Sequence, residues 1–196
     1  MNIILIFSHL LLAILIQANP IFITIHAYVI LVLGFYYILI DSNANRGLVV
    51  ICYIMGSELL WRGFGANVFW EYGKITGILL ILLMIYRVGF TRIKLNLGVV
   101  YILLLIPSLI VLDTNTSSDI THALLGPILL GISVSLFKNI SIDRTIFYKM
   151  LIFTLMPIIT LLVTTNYTTI FSGGFNYTSA YIDRIETAGI GPNQAS

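Results

Sequence analysis

Residues 21–40 read IFITIHAYVILVLGFYYILI, a stretch that contains no Asp, Glu, Lys or Arg. About 20 apolar residues form a helix roughly 30 Å long, which matches the hydrocarbon thickness of a bilayer. The stretch therefore predicts a helix that crosses a membrane. Further apolar runs precede and follow this stretch and fill most of the chain as far as residue 165. Further membrane-crossing helices are therefore expected on both sides of residues 21–40.

The composition supports this interpretation for the whole chain. Hydrophobic residues make up 59% of the sequence and charged residues 9%, whereas soluble domains have about 45–50% apolar and about 25% charged residues. So few polar side chains cannot cover a water-exposed surface. A lone strand in lipid would leave its backbone polar groups unsatisfied, so the spans must be helices. The fold class is therefore predicted to be all-α, a polytopic membrane helical bundle.

Polar segments divide the apolar sequence into seven predicted spans. Asn19-Pro20 marks the first turn, residues 41–46 the second and residues 63–67 the third. The tail, 166–196, is too polar to span and is predicted to be an amphipathic segment outside the membrane that includes the start of a further helix. The spans are expected near 3–18, 21–40, 47–62, 68–86, 95–112, 121–137 and 145–165.

The distribution of Lys and Arg among the loops predicts the orientation. Segments 87–94 and 138–149 carry three basic residues each, whereas segment 113–119 carries two aspartates and no base. Cytoplasmic loops are enriched in Lys and Arg. The N-terminus is therefore expected in the cytoplasm and the tail on the outer side of the membrane.

Four charged residues flank the predicted turn between the third and fourth spans. Glu58 and Arg62 are four residues apart, and Glu71 and Lys74 are three apart, so each pair shares a helix face and can form an ion pair. Two interpretations stay open. The pairs can tie a helical hairpin together at the membrane boundary, or Arg62 and Lys74 can bind an anionic substrate while Glu58 and Glu71 orient them.

Other polar residues give no pattern for a metal or a nucleotide. His9 and His26 lie in apolar spans and are expected to pack as neutral side chains, and His122 is expected at the membrane interface. The His, Cys, Asp and Glu residues lack metal-ligand spacing, and phosphate-loop and dinucleotide motifs are absent from the sequence. We expect no metal, no cofactor and no nucleic-acid partner.

The end of the tail, RIETAGIGPNQAS, suggests a second group of anion-binding residues. Arg184 offers a permanent bidentate cation for phosphate oxygens, and Gly189 lets the backbone approach a ligand closely. Asn193 can cap a helix whose N-terminus would attract an anion. A salt bridge of Arg184 with Asp183 or Glu186 is the structural alternative.

Together these features resemble the O-antigen ligase and O-antigen polymerase superfamily. The resemblance rests on the many spans, the outer arginine followed by Pro192-Asn193, and the stretch GSELLWRGFGANVFWEYGK from 56 to 74. Family members read Arg-x-x-Gly and then Asn-Pro-Asn. Arg184 matches the arginine and Pro192-Asn193 the final pair, whereas Thr187 replaces the glycine and Gly191 the first asparagine.

The resemblance implies a membrane glycosyltransferase that moves a glycan from a polyprenyl diphosphate to a glycan or glycolipid acceptor in surface polysaccharide biosynthesis. Arg184 would be catalytic because it neutralises the leaving diphosphate, and Arg62, Lys74, Gly189 and Asn193 would bind the substrate. No metal or nucleotide sugar is implied. The resemblance covers about the first half of a family member, so we expect the chain to be a fragment.

Two other functions compete with this interpretation. A transporter or flippase for an anionic lipid or glycan would line its path with Arg62, Lys74 and Arg184. A non-catalytic scaffold or inactive fragment is the third possibility. Transporters place their charges near the bilayer midplane, whereas these bases cluster at the outer boundary, which favours chemistry at the membrane surface.

Overall fold

The computed structural model describes residues 3–40, 44–69, 71–88, 97–110, 117–137 and 140–171. Within these ranges the chain forms seven α-helices and no strand, which confirms the all-α prediction. Each helix overlaps one of the seven predicted apolar segments. The helices are α1 (Ile3–Ala18), α2 (Ile21–Leu39), α3 (Ala44–Gly63), α4 (Tyr72–Val88), α5 (Leu97–Ile110), α6 (Ser117–Phe137) and α7 (Arg144–Phe171).

Local chemistry explains the first helix boundary. The N–H of Asn19 bonds to the carbonyl of Leu15 and closes α1. The Asn19 side chain then accepts the N–H of Ile21 at 2.9 Å, while Pro20, which lacks an N–H, precedes the first residue of α2. Asn19-Pro20 therefore reverses the chain within two residues, as the sequence predicted.

The last helix is longer than the apolar pattern predicted. Helix α7 continues to Phe171, six residues beyond the predicted end at 165. Thr164 donates its hydroxyl to the carbonyl of Thr160 at 2.7 Å, and Asn166 donates its amide to that of Leu162 at 2.8 Å. Polar side chains that donate a hydrogen bond to a backbone carbonyl of the preceding turn are compatible with a helix, so the polarity of these residues does not end α7.

Helix α3 lies at the centre of the bundle and packs against α2, α4 and α7. It runs parallel to α7, because Cys52 contacts Thr154 and, further along both helices, Gly63 contacts Leu161. A Cβ on Gly56 would collide with the carbonyl oxygen of Thr154. The absence of a side chain at Gly56 therefore lets the two backbones approach closely, as small residues do in membrane bundles.

Helix α2 runs antiparallel to α3. Ile38, near the end of α2, lies against Gly47, whereas His26, near its beginning, bonds to Trp61 at the far end of α3. Helix α4 is also antiparallel to α3, since Gly77 lies against Met55 one turn after the hairpin. The turn between α3 and α4 and the start of α2 are therefore at one end of the bundle, opposite to the start of α7.

Much of the apolar surface remains exposed in the isolated chain. On α1 the exposed large side chains recur at helical spacing, at Ile3, Phe7, Leu11 and Ile14. Two helices, Ile21–Leu39 and the part of α7 from Arg144 to Tyr167, are long and apolar enough to cross a membrane, each with a mean hydropathy of 2.1. These two helices are consistent with association of the chain with a membrane.

Candidate functional site

The turn after α3 is a Schellman motif, the common C-terminal cap of a helix. The N–H of Ala66 bonds to the carbonyl of Trp61 at 2.9 Å, and the N–H of Gly65 bonds to that of Arg62 at 3.4 Å. The motif needs a residue in the left-handed conformation directly before Ala66, and Gly65 has φ +65°. Glycine adopts this conformation without steric cost, which fixes the direction in which the loop leaves α3.

Two hydrogen bonds attach this turn to α2. The N–H of Asn67 donates to the Thr24 hydroxyl at 2.9 Å, and the Tyr72 hydroxyl donates to the carbonyl of Ala27 at 3.1 Å. The α3–α4 turn is therefore held against the first two turns of α2. A site built on this turn has fixed backbone geometry.

Both predicted ion pairs are present at this end of the bundle. Arg62 Nη1 lies 3.2 Å from Glu58 Oε1, with side chains 12% and 14% exposed. Lys74 Nζ lies 2.8 Å from Glu71 Oε2, and the Glu71 side chain is 3% exposed. The Glu58 side chain packs against Gly73, which stands between Glu71 and Lys74 in the chain. The two pairs are therefore adjacent and form one ionic cluster with no net formal charge.

A cavity of about 260 Å³ adjoins the cluster. Glu58 and Arg62 contribute to its wall from α3, and Gly73 contributes from α4. Glu71, just before α4, and Lys74, in its first turn, are the neighbours in the chain of Tyr72 and Gly73, which line the cavity. A Cβ built on Gly73 would lie 2.9 Å from the Cβ of Glu58. Because glycine has no side chain, α3 and α4 can approach each other closely at this point.

Aromatic side chains form another part of the cavity wall. The rings of Trp61 and Tyr72 meet edge to face at 5.3 Å, and those of Phe69 and Tyr72 at 5.2 Å. Trp61 and Tyr72 are buried, whereas Phe69 is 52% exposed. Aromatic and charged groups together give the cavity the lining of a site for a polar ligand with an apolar portion.

A chain of buried polar side chains leads inward from the cavity, and sequence reasoning missed it. Trp61 donates its indole N–H to His26 Nδ1 at 2.9 Å, and His26 Nε2 lies 2.7 Å from the Tyr53 hydroxyl. That hydroxyl lies 3.5 Å from His9 Nε2, and His9 Nδ1 lies 2.8 Å from the Thr160 hydroxyl. His9 is buried and His26 is partly buried, and the hydrogen bonds of the two histidines connect four helices. The sequence showed only that an imidazole in an apolar span needs partners, and it did not show which residues they are.

Three predicted site residues, Arg184, Gly189 and Asn193, lie outside the described residues, as does the whole RIETAGIGPNQAS segment. The backbone at His122 is helical, but its side chain is not among those described. Among the residues that the structure does describe, no group of three or more His, Cys, Asp and Glu side chains is placed to hold a metal ion.

The fold and the site together define a class: an all-α protein with two membrane-length helices and an ionic cluster beside a cavity at one end of its bundle. No family profile, curated protein sequence or solved structure matches this chain. Its function must therefore be argued from its own residues.

Proposed function

We propose that this chain is an integral protein of the bacterial cytoplasmic membrane, of the O-antigen ligase or polymerase type. It takes part in the transfer of a glycan from a polyprenyl diphosphate to a glycan or glycolipid acceptor. The site is the α3–α4 end of the bundle, on the outer face. The observation that carries the proposal is Arg62, held by Glu58 on the wall of a cavity at the end of an apolar bundle.

Exposed apolar surface supports the membrane part of the proposal. Large apolar side chains are exposed along α1, α2 and α5, and contiguous apolar surface of this extent marks a lipid or protein contact. The directions of the helices agree with alternating spans: α1, α3 and α7 are parallel to one another, and α2 and α4 run the other way. An amphiphilic donor lipid would place its headgroup at one end of such a bundle.

The size of the cavity limits what it can bind. Pockets for small molecules have volumes of about 300–1,000 Å³, and this cavity, at about 260 Å³, is slightly smaller. It can hold a diphosphate or a single sugar ring, but not an oligosaccharide. We therefore assign it to the part of the donor where the glycan joins the diphosphate.

Charge balance explains why a further arginine is needed. Glu58, Arg62, Glu71 and Lys74 sum to zero formal charge, so the cluster alone offers little net attraction to a diphosphate. Arg184 would supply the extra positive charge as the diphosphate leaves, where preorganised charge lowers the barrier most. In this proposal Arg62 positions the diphosphate and Arg184 is the catalytic residue.

Binding of polyprenyl diphosphate to the protein in lipid nanodiscs tests this assignment. Arg62→Gln should weaken binding about 10- to 150-fold, since a hydrogen bond to a charged group contributes about 1.5–3 kcal/mol. Glu58→Gln should strengthen binding, because it releases Arg62 from its carboxylate partner. The double variant Glu58→Gln/Arg62→Gln should bind as weakly as Arg62→Gln. Arg144→Gln, at the opposite end of the bundle, is the matched control and should leave binding unchanged.

The opposite effects of Glu58→Gln and Arg62→Gln on affinity distinguish a ligand-binding role of the ion pair from a structural one. If the pair only ties the hairpin together, Glu58→Gln and Arg62→Gln will both lower stability and neither will change affinity selectively. Equal affinities in the wild type and in Arg62→Gln, with the fold intact by circular dichroism, would refute the assignment.

A transporter or flippase is the alternative, and the buried polar chain favours it, because polar side chains inside a bundle mark many transport paths. The two functions differ in the product. In proteoliposomes, a flippase moves labelled polyprenyl diphosphate between leaflets without an acceptor, whereas a transferase forms labelled acceptor and leaves the leaflet distribution unchanged.

A further inference from the structure

The Trp61 end of the buried polar chain has only one consistent arrangement of hydrogens. The indole N–H of Trp61 is a donor and has no acceptor atom, so His26 Nδ1 must accept and the His26 proton must be on Nε2. Nε2 then donates to the Tyr53 hydroxyl at 2.7 Å. The Trp61 indole therefore determines the tautomer of the partly buried His26 imidazole.

One arrangement of the remaining hydrogens continues this order from Tyr53 to Thr160. The Tyr53 hydroxyl, which accepts from His26, has its own hydrogen available for His9 Nε2 at 3.5 Å. His9 then carries its proton on Nδ1 and donates it to the Thr160 hydroxyl at 2.8 Å, and Thr160 donates to the carbonyl of His9 at 3.2 Å. The chain ends on a backbone carbonyl, so it is not a path for protons through the protein. Every hydrogen bond in it is made while both imidazoles are neutral.

We propose that His26 is a proton-operated latch on Trp61, and thereby on the wall of the cavity beside the ionic cluster. A proton added to His26 Nδ1 would put two donors face to face, the imidazolium N–H and the indole N–H. The bond would break, and Trp61 would leave its buried position between His26 and Tyr72. Acidification would therefore reshape the cavity, whatever ligand the cavity binds.

His9 is expected to matter less than His26. A proton on His9 Nε2 would also oppose a donor, but the Tyr53 hydroxyl can rotate and accept from both imidazoles. The Trp61 indole cannot adapt in this way. The latch is therefore predicted to respond to His26, with His9 as a weaker modulator.

The surroundings of His26 contain few other groups that could take up the proton. The neighbouring helices present His9 on α1, Tyr53 on α3 and Tyr72 on α4. Glu58 and Arg62 are on the Trp61 end of α3 and pair with each other. Lys74, in the first turn of α4, pairs with Glu71, which precedes that helix. Within the described residues, no carboxylate, lysine or arginine is hydrogen-bonded to either imidazole. A proton on His26 would thus have no carboxylate partner to hold the latch closed.

The test uses the full chain in nanodiscs with two readouts. Trp70→Phe leaves Trp61 as the single tryptophan, because the sequence has two, and its emission reports contact and polarity around the indole. Ring-¹⁵N-labelled histidine reports directly which nitrogen carries the proton. Both are followed from about pH 8 to about pH 3, a range that begins above the ordinary histidine pKa of about 6.5 and ends well below it, because removal from water disfavours the charged imidazole. The three histidines are assigned with His9→Asn and His122→Asn.

The latch predicts an unprotonated Nδ1 on His26 at neutral pH and a change in Trp61 emission with the same midpoint as protonation of His26. His26→Asn keeps an acceptor near the Nδ1 position but cannot titrate, so it should abolish the emission change. His122→Asn is the control and should keep it. The proposal fails if His26 carries its proton on Nδ1 at neutral pH. It also fails if Trp61 emission stays constant while His26 is protonated, or if the bundle unfolds before His26 takes up a proton.

Discussion

Gly65 gives the most direct test of how the turn beside the site is built, and the expected cost can be worked out from the structure. Its φ is +65°, and a Cβ placed on it would meet nothing within 4 Å. Gly65→Ala therefore adds no steric clash and costs only the left-handed conformation, about 1–2 kcal/mol for an L-residue. The reduced freedom of the unfolded chain returns about 0.4–1 kcal/mol. We expect a net loss of about 1 kcal/mol, which is roughly a fivefold shift in the unfolding equilibrium.

Two matched variants isolate this cause. Gly65→Asn should lose less than Gly65→Ala, because asparagine tolerates the left-handed region. Gly63→Ala, two residues earlier and still in α3, has no positive φ and meets only the flexible end of Leu161 at 3.2 Å. It should be neutral or slightly stabilising, since alanine favours a helix.

Reversible unfolding in lipid bicelles, followed by circular dichroism, gives the free energies of unfolding of the wild type and of the three variants. The reasoning is refuted if Gly65→Ala matches the wild type, or if Gly65→Asn loses as much as Gly65→Ala. In either case the left-handed conformation of Gly65 would not set the cost.

Two further predictions concern the packing of the bundle. Gly56→Ala should destabilise by about 1–3 kcal/mol, because its Cβ would collide with the Thr154 carbonyl oxygen, part of a rigid backbone. Gly34→Ala would meet the flexible end of Leu80 at 2.6 Å and Val50 only at an ordinary contact distance of 3.5 Å. It should cost less in the same unfolding assay, and equal losses would contradict the close α3–α7 contact. Tyr72→Phe should lose about 0.5–1.5 kcal/mol with its bond to the Ala27 carbonyl; an unchanged free energy of unfolding would show that this bond does not hold α4 against α2.

The sequence predicted those features that depend on neighbours along the chain. Glu58 and Arg62 form a pair because a spacing of four residues places them on one helix face, and Asn19-Pro20 forms a turn because of its own chemistry. The spacing of Glu71 and Lys74 likewise predicted their contact. These inferences need no knowledge of which helices meet.

Features that depend on tertiary packing could not be read from the sequence. His26 and Trp61 are far apart in the chain, and their hydrogen bond exists only because α2 and α3 run antiparallel. Nothing local marks Thr160 as the partner of His9. The end of α7 was placed too early because Asn166 is polar, whereas its side chain bonds back to the helix. The roles predicted for Arg184, Gly189 and Asn193 stay predictions.

The central claim is that the α3–α4 turn lies on the outer face of a membrane-spanning bundle. One-sided cysteine labelling in intact cells tests it most directly. In a Cys52→Ala background, which removes the single native cysteine, Asn67→Cys and Ser141→Cys place exposed thiols at the two ends of the parallel helices α3 and α7. We expect a membrane-impermeant maleimide to label position 67 in intact cells and position 141 only after permeabilisation. Labelling of position 141 from outside, or protection of position 67, would contradict the claim.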